Sequence, residues 1–270
     1  AAGKNRLAIA DRDEMTVADS GAVAGGNAVT SLTAEAVSVV YQPVQDADGT
    51  VMGAEVFARA RVGERTVPAA AFVGVLGRSQ VIDVVDRRVV STVLADPAVA
   101  RFGGRLFLNI APTSLLEARF IDFLLESIAH SPLSPEQVVV EISESPLAGD
   151  LGALARPLAD LRAAGVGIAI DHAGSGRETF AYLRRFEFDY LKIEADWLCD
   201  RKVNRRDRAF IDGLLAIADT LGVTVVAHNV ETAAQVELIR GLSIELMQGY
   251  RFAHEAPHLP MVRLPASEAR

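Results

Sequence analysis

From Thr33 onward the chain alternates between two hydrophobic patterns. Short apolar runs rich in β-branched residues occupy 37–44 (VSVVYQPV), 51–60 (VMGAEVFARA), 105–110 (RLFLNI), 138–142 (VVVEI), 166–171 (VGIAID), 188–194 (FDYLKIE), 223–228 (VTVVAH) and 246–250 (LMQGY). Such runs read as buried strands. Between them, apolar residues recur at i, i+3 and i+4 in 69–76, 81–95, 113–129, 151–165, 177–186, 205–222 and 232–242, the spacing of an amphipathic helix. Gly165 and Gly222 stand where helix C-caps belong, and Pro112 suits the first turn of a helix. Strand alternating with helix predicts a parallel sheet, and about eight repeats predict closure into a TIM-like (β/α)8 barrel. An open doubly wound sheet is the competing α/β architecture. No G-x-G-x-x-G or P-loop pattern follows a strand, which removes the commonest reason to prefer it.

Residues 1–32 lack this rhythm. Their middle, GAVAGGN, belongs to a stretch dominated by Ala, Gly, Asp, Ser and Thr, which reads as a linker or a docked arm. The expected organisation is therefore a linker at 1–32, a barrel at 33–260 and a tail at 261–270.

Composition narrows the class. Of the 270 residues 50% are hydrophobic, enough to fill a core and to exclude disorder. The formal charge of −8 disfavours a general nucleic-acid or anionic-membrane binder, though not a local pocket for one anion. Cys199 is the lone cysteine and forms no internal disulfide, so a reducing, cytoplasmic setting is expected. No apolar run approaches the ~18 residues that span a membrane, and the first residues lack a secretory core.

The chemistry lies at the ends of the apolar runs. Asn109, Glu141, Asp171, Lys192, His228 and Gln248 each close or nearly close one run, and Glu55 lies inside the second. In a parallel barrel these ends converge on one mouth, where active sites are built. A single such residue is more often a strand-terminal group bonded to a loop, but six in phase argue for a site. Glu55, Asn109, Glu141 and Asp171 make an all-oxygen set suited to Mg²⁺, Mn²⁺ or Ca²⁺, with Lys192 as the local cation.

Seven motifs in order resemble the EAL domain family, barrel-shaped phosphodiesterases that linearise cyclic di-GMP. They are YQP (41–43) with EVFAR (55–59) in place of E-A-L-x-R, LNI (108–110), VEISES (140–145), IAIDHAGSG (168–176), LKIE (191–194), VVAHNVET (225–232) and MQGYRFA (247–253). The beginning, AAGKNRLAIAD, resembles the end of a GGDEF domain, which implies a tandem parent protein whose membrane anchor, if it has one, lies outside this chain. The resemblance implies metal ligation by Glu55, Asn109, Glu141, Asp171 and Glu231, catalytic roles for Glu55 and Lys192, and nucleotide contacts by Gln42, Arg59 and Gln248. For Gln42 the plainer reading is an amide bonding backbone, and for Arg59 an ion pair with Glu64 or Asp48. Trp197 and Met247 read as packing residues.

Two departures set the expected function. His172 replaces the second Asp of the family's D-D-F-G, and His228 replaces the Glu of A-E-G-V-E; Ala173 and Asn229 replace the neighbouring Phe and Gly. A carboxylate ~4 Å from a divalent ion contributes several kcal/mol even at an effective dielectric near 20. Losing two should leave at most one Mg²⁺ or Mn²⁺, or none, and a two-metal hydrolysis weak or absent. The expectation is a degenerate EAL domain acting as a cyclic di-GMP receptor or regulatory module. The alternatives are an active phosphodiesterase, yielding linear pGpG, whose His pair recruits Mn²⁺, Fe²⁺ or Zn²⁺, and a protein-interaction module without nucleotide binding. A homodimer through the loop 171–179 is expected by the same resemblance.

Overall fold

The computed structural model describes residues 37–62, 65–68, 79–143, 151–174, 179–199 and 205–262. The expected linker at 1–32, the apolar stretch 69–76 and most of the expected tail at 261–270 lie outside these residues. The strands are β1 (Val37–Asp46), β2 (Val51–Val62), β3 (Arg65–Pro68), β4 (Arg105–Asn109), β5 (Val138–Ser143), β6 (Gly167–Asp171), β7 (Tyr190–Glu194), β8 (Thr224–His228) and β9 (Leu246–Met247). They pair in the order β1-β9-β8-β7-β6-β5-β4-β2-β3, and a further β1–β2 pairing closes the ring. The barrel is thus closed by eight strands, with β3 attached outside it along β2.

The fold differs from an all-parallel barrel in one strand. β1 runs antiparallel to both β2 and β9, while β2 and β4 through β9 run parallel around the ring. The reason is local. Only Ala47 to Thr50 separate β1 from β2, too short for the crossover that a parallel pair requires, and Asp46 Oδ1 caps the turn by accepting from Asp48 N and Thr50 N. β3 leaves no trace in the hydrophobic pattern because it holds only four residues, and the expected run 246–250 shrinks to the two-residue β9.

Alternation along the strands makes two apolar layers. Leu106, Leu108, Val138, Val140, Ile168, Ile170, Leu191 and Ile193 belong to the large core between sheet and helices. Their neighbours Val44, Phe107, Val139, Ala169, Tyr190 and Val226 form a separate buried cluster, the plug of the barrel interior. Two residues further along the parallel strands, on the same face, stand Asn109, Glu141, Asp171, Lys192 and His228. On antiparallel β1 the step is reversed, and Gln42 precedes Val44 by two. The apolar plug therefore floors a polar mouth.

The helix signals hold where they are described. Gly165 (φ +88°) and Gly222 (φ +69°) follow helices Ala155–Ala163 and Arg205–Leu221, and Pro112 opens Pro112–Leu115. The single helical pattern at 113–129 resolves into two helices, Pro112–Leu115 and Ala118–Ala129. Helix Ser79–Leu94 is tied to that turn by buried Asp86, whose Oδ2 accepts from Ser114 Oγ at 2.7 Å and Ala111 N at 3.0 Å. Burial pushes the Asp86 carboxyl up to about 7. A raised folded value means that the native state holds a proton the unfolded chain has released, so this contribution to stability falls as pH rises through that window. Asp86→Asn is therefore expected to melt a few degrees above the parent at pH 8, with the gap closing near pH 4, in thermal unfolding followed by circular dichroism.

Candidate functional site

Sheet register brings the mouth together. Gln42 stands opposite Glu55, Asn109 opposite Glu141, and Glu194 opposite His228. Lys192 is the centre: its Nζ lies 2.6 Å from Glu55 Oε2, 2.9 Å from Glu141 Oε1 and 3.7 Å from Asp171 Oδ1, and the side chain is 1% exposed. Asn109 Nδ2 donates to Glu55 Oε1 at 2.7 Å. Gln248 Nε2 donates to Glu55 Oε2 at 2.7 Å and to Gln42 Oε1 at 3.0 Å, and Gln42 Nε2 donates to the Ala253 carbonyl. A chain of amides and acids thus runs from the C-terminal segment to the centre of the barrel.

Three carboxylates share one buried ammonium, and their protonation follows from that shortage. Burial alone would lower the Lys192 ammonium, but Glu141, Glu55 and Asp171 more than reverse it and hold it charged. Burial pushes the Glu55 carboxyl up, yet Lys192 beside it leaves it below the usual range. Asp171 is likewise held low against burial by Lys192, His172 and His228. Glu141 takes the remainder: burial and the facing Glu55 charge push its carboxyl well above the usual range. Of the three carboxylates it is the one most ready to take up a proton.

The two histidines adjoin this cluster. His172 Nε2 lies 3.1 Å from Asp171 Oδ2 and its Nδ1 lies 3.2 Å from Glu194 Oε1. The His172 and His228 rings are 5.0 Å apart and steeply inclined. Burial lowers His172, but Asp171 and Glu194 outweigh it and raise the imidazole above its ordinary value. Burial pushes His228 down to about 4, so its ring is neutral at physiological pH. Asp171, His172 and His228 form the one group, among the described residues, in which three such side chains bring donor atoms within 4.8 Å of one another. His172 (φ +57°) and Asn229 (φ +57°) both occupy the left-handed region; Asn tolerates the backbone that a Gly would fill.

The remaining expected residues are placed as follows. Arg59 is ion-paired with Glu255 rather than with Asp48, and Glu64 lies outside the described residues. Glu231 is exposed at the start of the segment before helix Ala233–Arg240 and is not in the Asp171 group. Trp197 packs against the loop after β6, where a Cβ on Gly174 (φ +84°) would collide with its ring. Met247 is fully buried. Glu194 has no role in the sequence reading, although it lies two residues beyond Lys192 and so shares its strand face. Glu255 carries no sequence signal, because its partner is 196 positions away.

A family model described as the EAL domain matches residues 27–255. The probable cyclic di-GMP phosphodiesterase PdeN of Escherichia coli is 30% identical over 247 residues, covering 88% of this chain and 47% of that protein. Cyclic di-GMP phosphodiesterase NbdA of Pseudomonas aeruginosa is 29% identical over 223 residues, covering 80% of this chain and 28% of its own length. The chain therefore spans less than half the length of these curated relatives. Among solved structures, a PaMucR phosphodiesterase complex with c-di-GMP aligns at TM-score 0.73 and 25% identity, over 82% of this chain and 97% of that one. The FimX EAL domain of Pseudomonas aeruginosa, bound to c-di-GMP, aligns at TM-score 0.74 and 20% identity, over 84% and 93%.

Proposed function

The chain belongs to the EAL domain family, and on that premise we propose that it is a cyclic di-GMP receptor or regulatory module whose Mg²⁺-dependent phosphodiesterase activity is weak or absent. The observation that carries this reading is the substitution at one side of the mouth only. His172 and His228 stand at the positions where the family resemblance puts two acids, while Gln42, Arg59, Lys192 and Gln248 are retained beside them. Cyclic di-GMP presents two phosphate charges and two guanine edges. Arg59 offers a planar fork for a phosphate, and Gln248 Oε1, which has no hydrogen bond in the Gln42–Gln248 pair, offers an amide acceptor for a base.

Glu55, Asn109, Glu141 and Asp171 would hold one Mg²⁺ or Mn²⁺, and the buried Asp171 Oδ1, which lacks a hydrogen bond, fits such a cation. That ion would supply positive charge to a phosphoryl oxygen. Lys192 keeps two of these carboxylates oriented toward the mouth. On the other side, neutral His228 supplies neither the anion that a second Mg²⁺ needs nor a carboxylate to take a proton from water. The same resemblance supports a homodimer, a preceding GGDEF domain and a cytoplasmic setting for the parent protein; no helix among the described residues is long and apolar enough to cross a membrane.

Calorimetric titration with cyclic di-GMP, with and without Mg²⁺, tests the reading: binding in both conditions with hydrolysis near background is expected. Full turnover in Mg²⁺ would sink the receptor reading, and no binding would favour a protein-interaction module. Arg59→Ala is expected to weaken binding by about 1.5–3 kcal/mol, the contribution of charge-assisted bonds. Because Glu255 is ion-paired with the Arg59 fork and would compete with a phosphate for it, Glu255→Gln is expected to tighten binding in the same titration. Equal affinity in both variants would remove Arg59 from the phosphate site.

A further inference from the structure

His228 is 6% exposed, yet its Nε2 has no hydrogen-bond partner, and nearby Asp171, 7% exposed, turns Oδ2 toward His172 Nε2 at 3.1 Å. Burying a polar nitrogen unpaired is unfavourable and needs an explanation. One donor atom from each of Asp171, His172 and His228 lies within 4.8 Å of the other two, a spacing that a single ion bridges. We propose that Asp171, His172 and His228 bind one first-row transition-metal ion with affinity for nitrogen, of the Zn²⁺ or Co²⁺ class, in preference to Mg²⁺.

Three further observations support the assignment. The first is donor chemistry: two imidazoles and one carboxylate suit the later transition metals, whereas Mg²⁺ takes oxygen ligands and keeps several waters. The second is Glu194, whose Oε1 lies 3.2 Å from His172 Nδ1. That leaves Nε2 on the Asp171 side and reproduces the carboxylate–histidine–metal arrangement that fixes ring orientation and ligand basicity. The third is backbone strain. His172 holds φ +57°, a conformation costly for a residue with a Cβ, and it is this turn after β6 that sets its ring beside His228. Three protein ligands leave at least one coordination position open, the arrangement of a site that also accepts water or a ligand rather than of a closed structural one.

The site differs from the all-oxygen set around Lys192, although Asp171 borders both. It also does not depend on nucleotide binding, so it stands or falls separately from the receptor reading. The test uses the full chain, stripped with a chelator, free of any histidine tag and without nucleotide. Co²⁺ is titrated and followed by its visible absorption and by calorimetry, then displaced with Zn²⁺ and challenged with millimolar Mg²⁺. The expected result is one Co²⁺ per chain with nitrogen-ligated absorption bands, displaced by Zn²⁺ and not by Mg²⁺. His172→Ala and His228→Ala should each weaken Co²⁺ at least about 100-fold, and Glu194→Gln about 10- to 100-fold through ring positioning. His130→Ala, which removes an exposed histidine elsewhere, should change nothing. Circular dichroism verifies that each variant is folded; if His228→Ala is not, His172→Ala and Glu194→Gln carry the test. Absence of Co²⁺ binding, displacement by Mg²⁺, or unchanged affinity in the folded histidine variants would overturn the proposal.

Discussion

Lys192→Met is expected to destabilise the fold by about 3–5 kcal/mol at neutral pH, the usual effect of removing one partner from a buried charge cluster. Met matches the length of the stem and fills its volume, so the loss reads electrostatics rather than a cavity. Three buried carboxylates then face one another with no ammonium among them, and each takes up a proton more readily in the folded state than in the unfolded chain. A folded value above the unfolded one contributes stability at low pH that is lost as pH rises through the folded value. The variant should therefore recover part of its deficit relative to the parent on acidification toward pH 5: Asp86 and Glu141 are raised in the parent as well, but Glu55 and Asp171, held low there by Lys192, add to the gain in the variant alone. Urea unfolding at pH 5 and pH 8 measures both differences. A pH-independent loss would mean that Lys192 acts mainly by packing. Millimolar Mg²⁺ offers a second check: if the all-oxygen set binds it, the ion should replace the missing charge and raise the variant's midpoint at pH 8.

His172→Asp combined with His228→Glu is expected to raise Mg²⁺-dependent hydrolysis of cyclic di-GMP at least about 100-fold over the parent, since each restored anion adds several kcal/mol of gross attraction for a second ion. The replacement is sterically reasonable. Asp is among the residues that accept the left-handed backbone at position 172, and the carboxylate introduced at position 228 would enter a site already lined by Asp171 and Lys192. The same double change should abolish the Co²⁺ absorption proposed for the histidine pair. Product formation followed by chromatography decides the first expectation. A rate that stays at background while Mg²⁺ binding improves would place the lesion in the neighbouring loop, where Ala173 stands in place of a Phe.

Much of this site was legible in the chain because a strand has a period of two. Apolar residues at 107, 139, 169, 190 and 226 and polar ones two positions later lie on one face of their strands, and that arithmetic alone assembles most of the mouth. Glu194 obeys the same arithmetic from Lys192. Glu231 and Arg59 do not: one lies beyond the end of β8 and the other within long β2, where alternation sets a face but not a partner.

The sequence by itself determined the alternation of strand and helix, the closure expected from eight repeats, and the residues of the mouth, with histidines at the two positions where the family resemblance puts acids. These are local or periodic properties, carried by neighbouring residues. Only the tertiary structure decided that β1 runs antiparallel, that Lys192 rather than a ring of acids occupies the centre, that Glu255 takes the Arg59 fork and that Glu194 holds His172. Those outcomes depend on contacts between residues from 22 to 196 positions apart, set by sheet register and by competition among buried charges for too few partners. A list of side chains contains the charges; which of them meet is settled only when the barrel closes and water leaves.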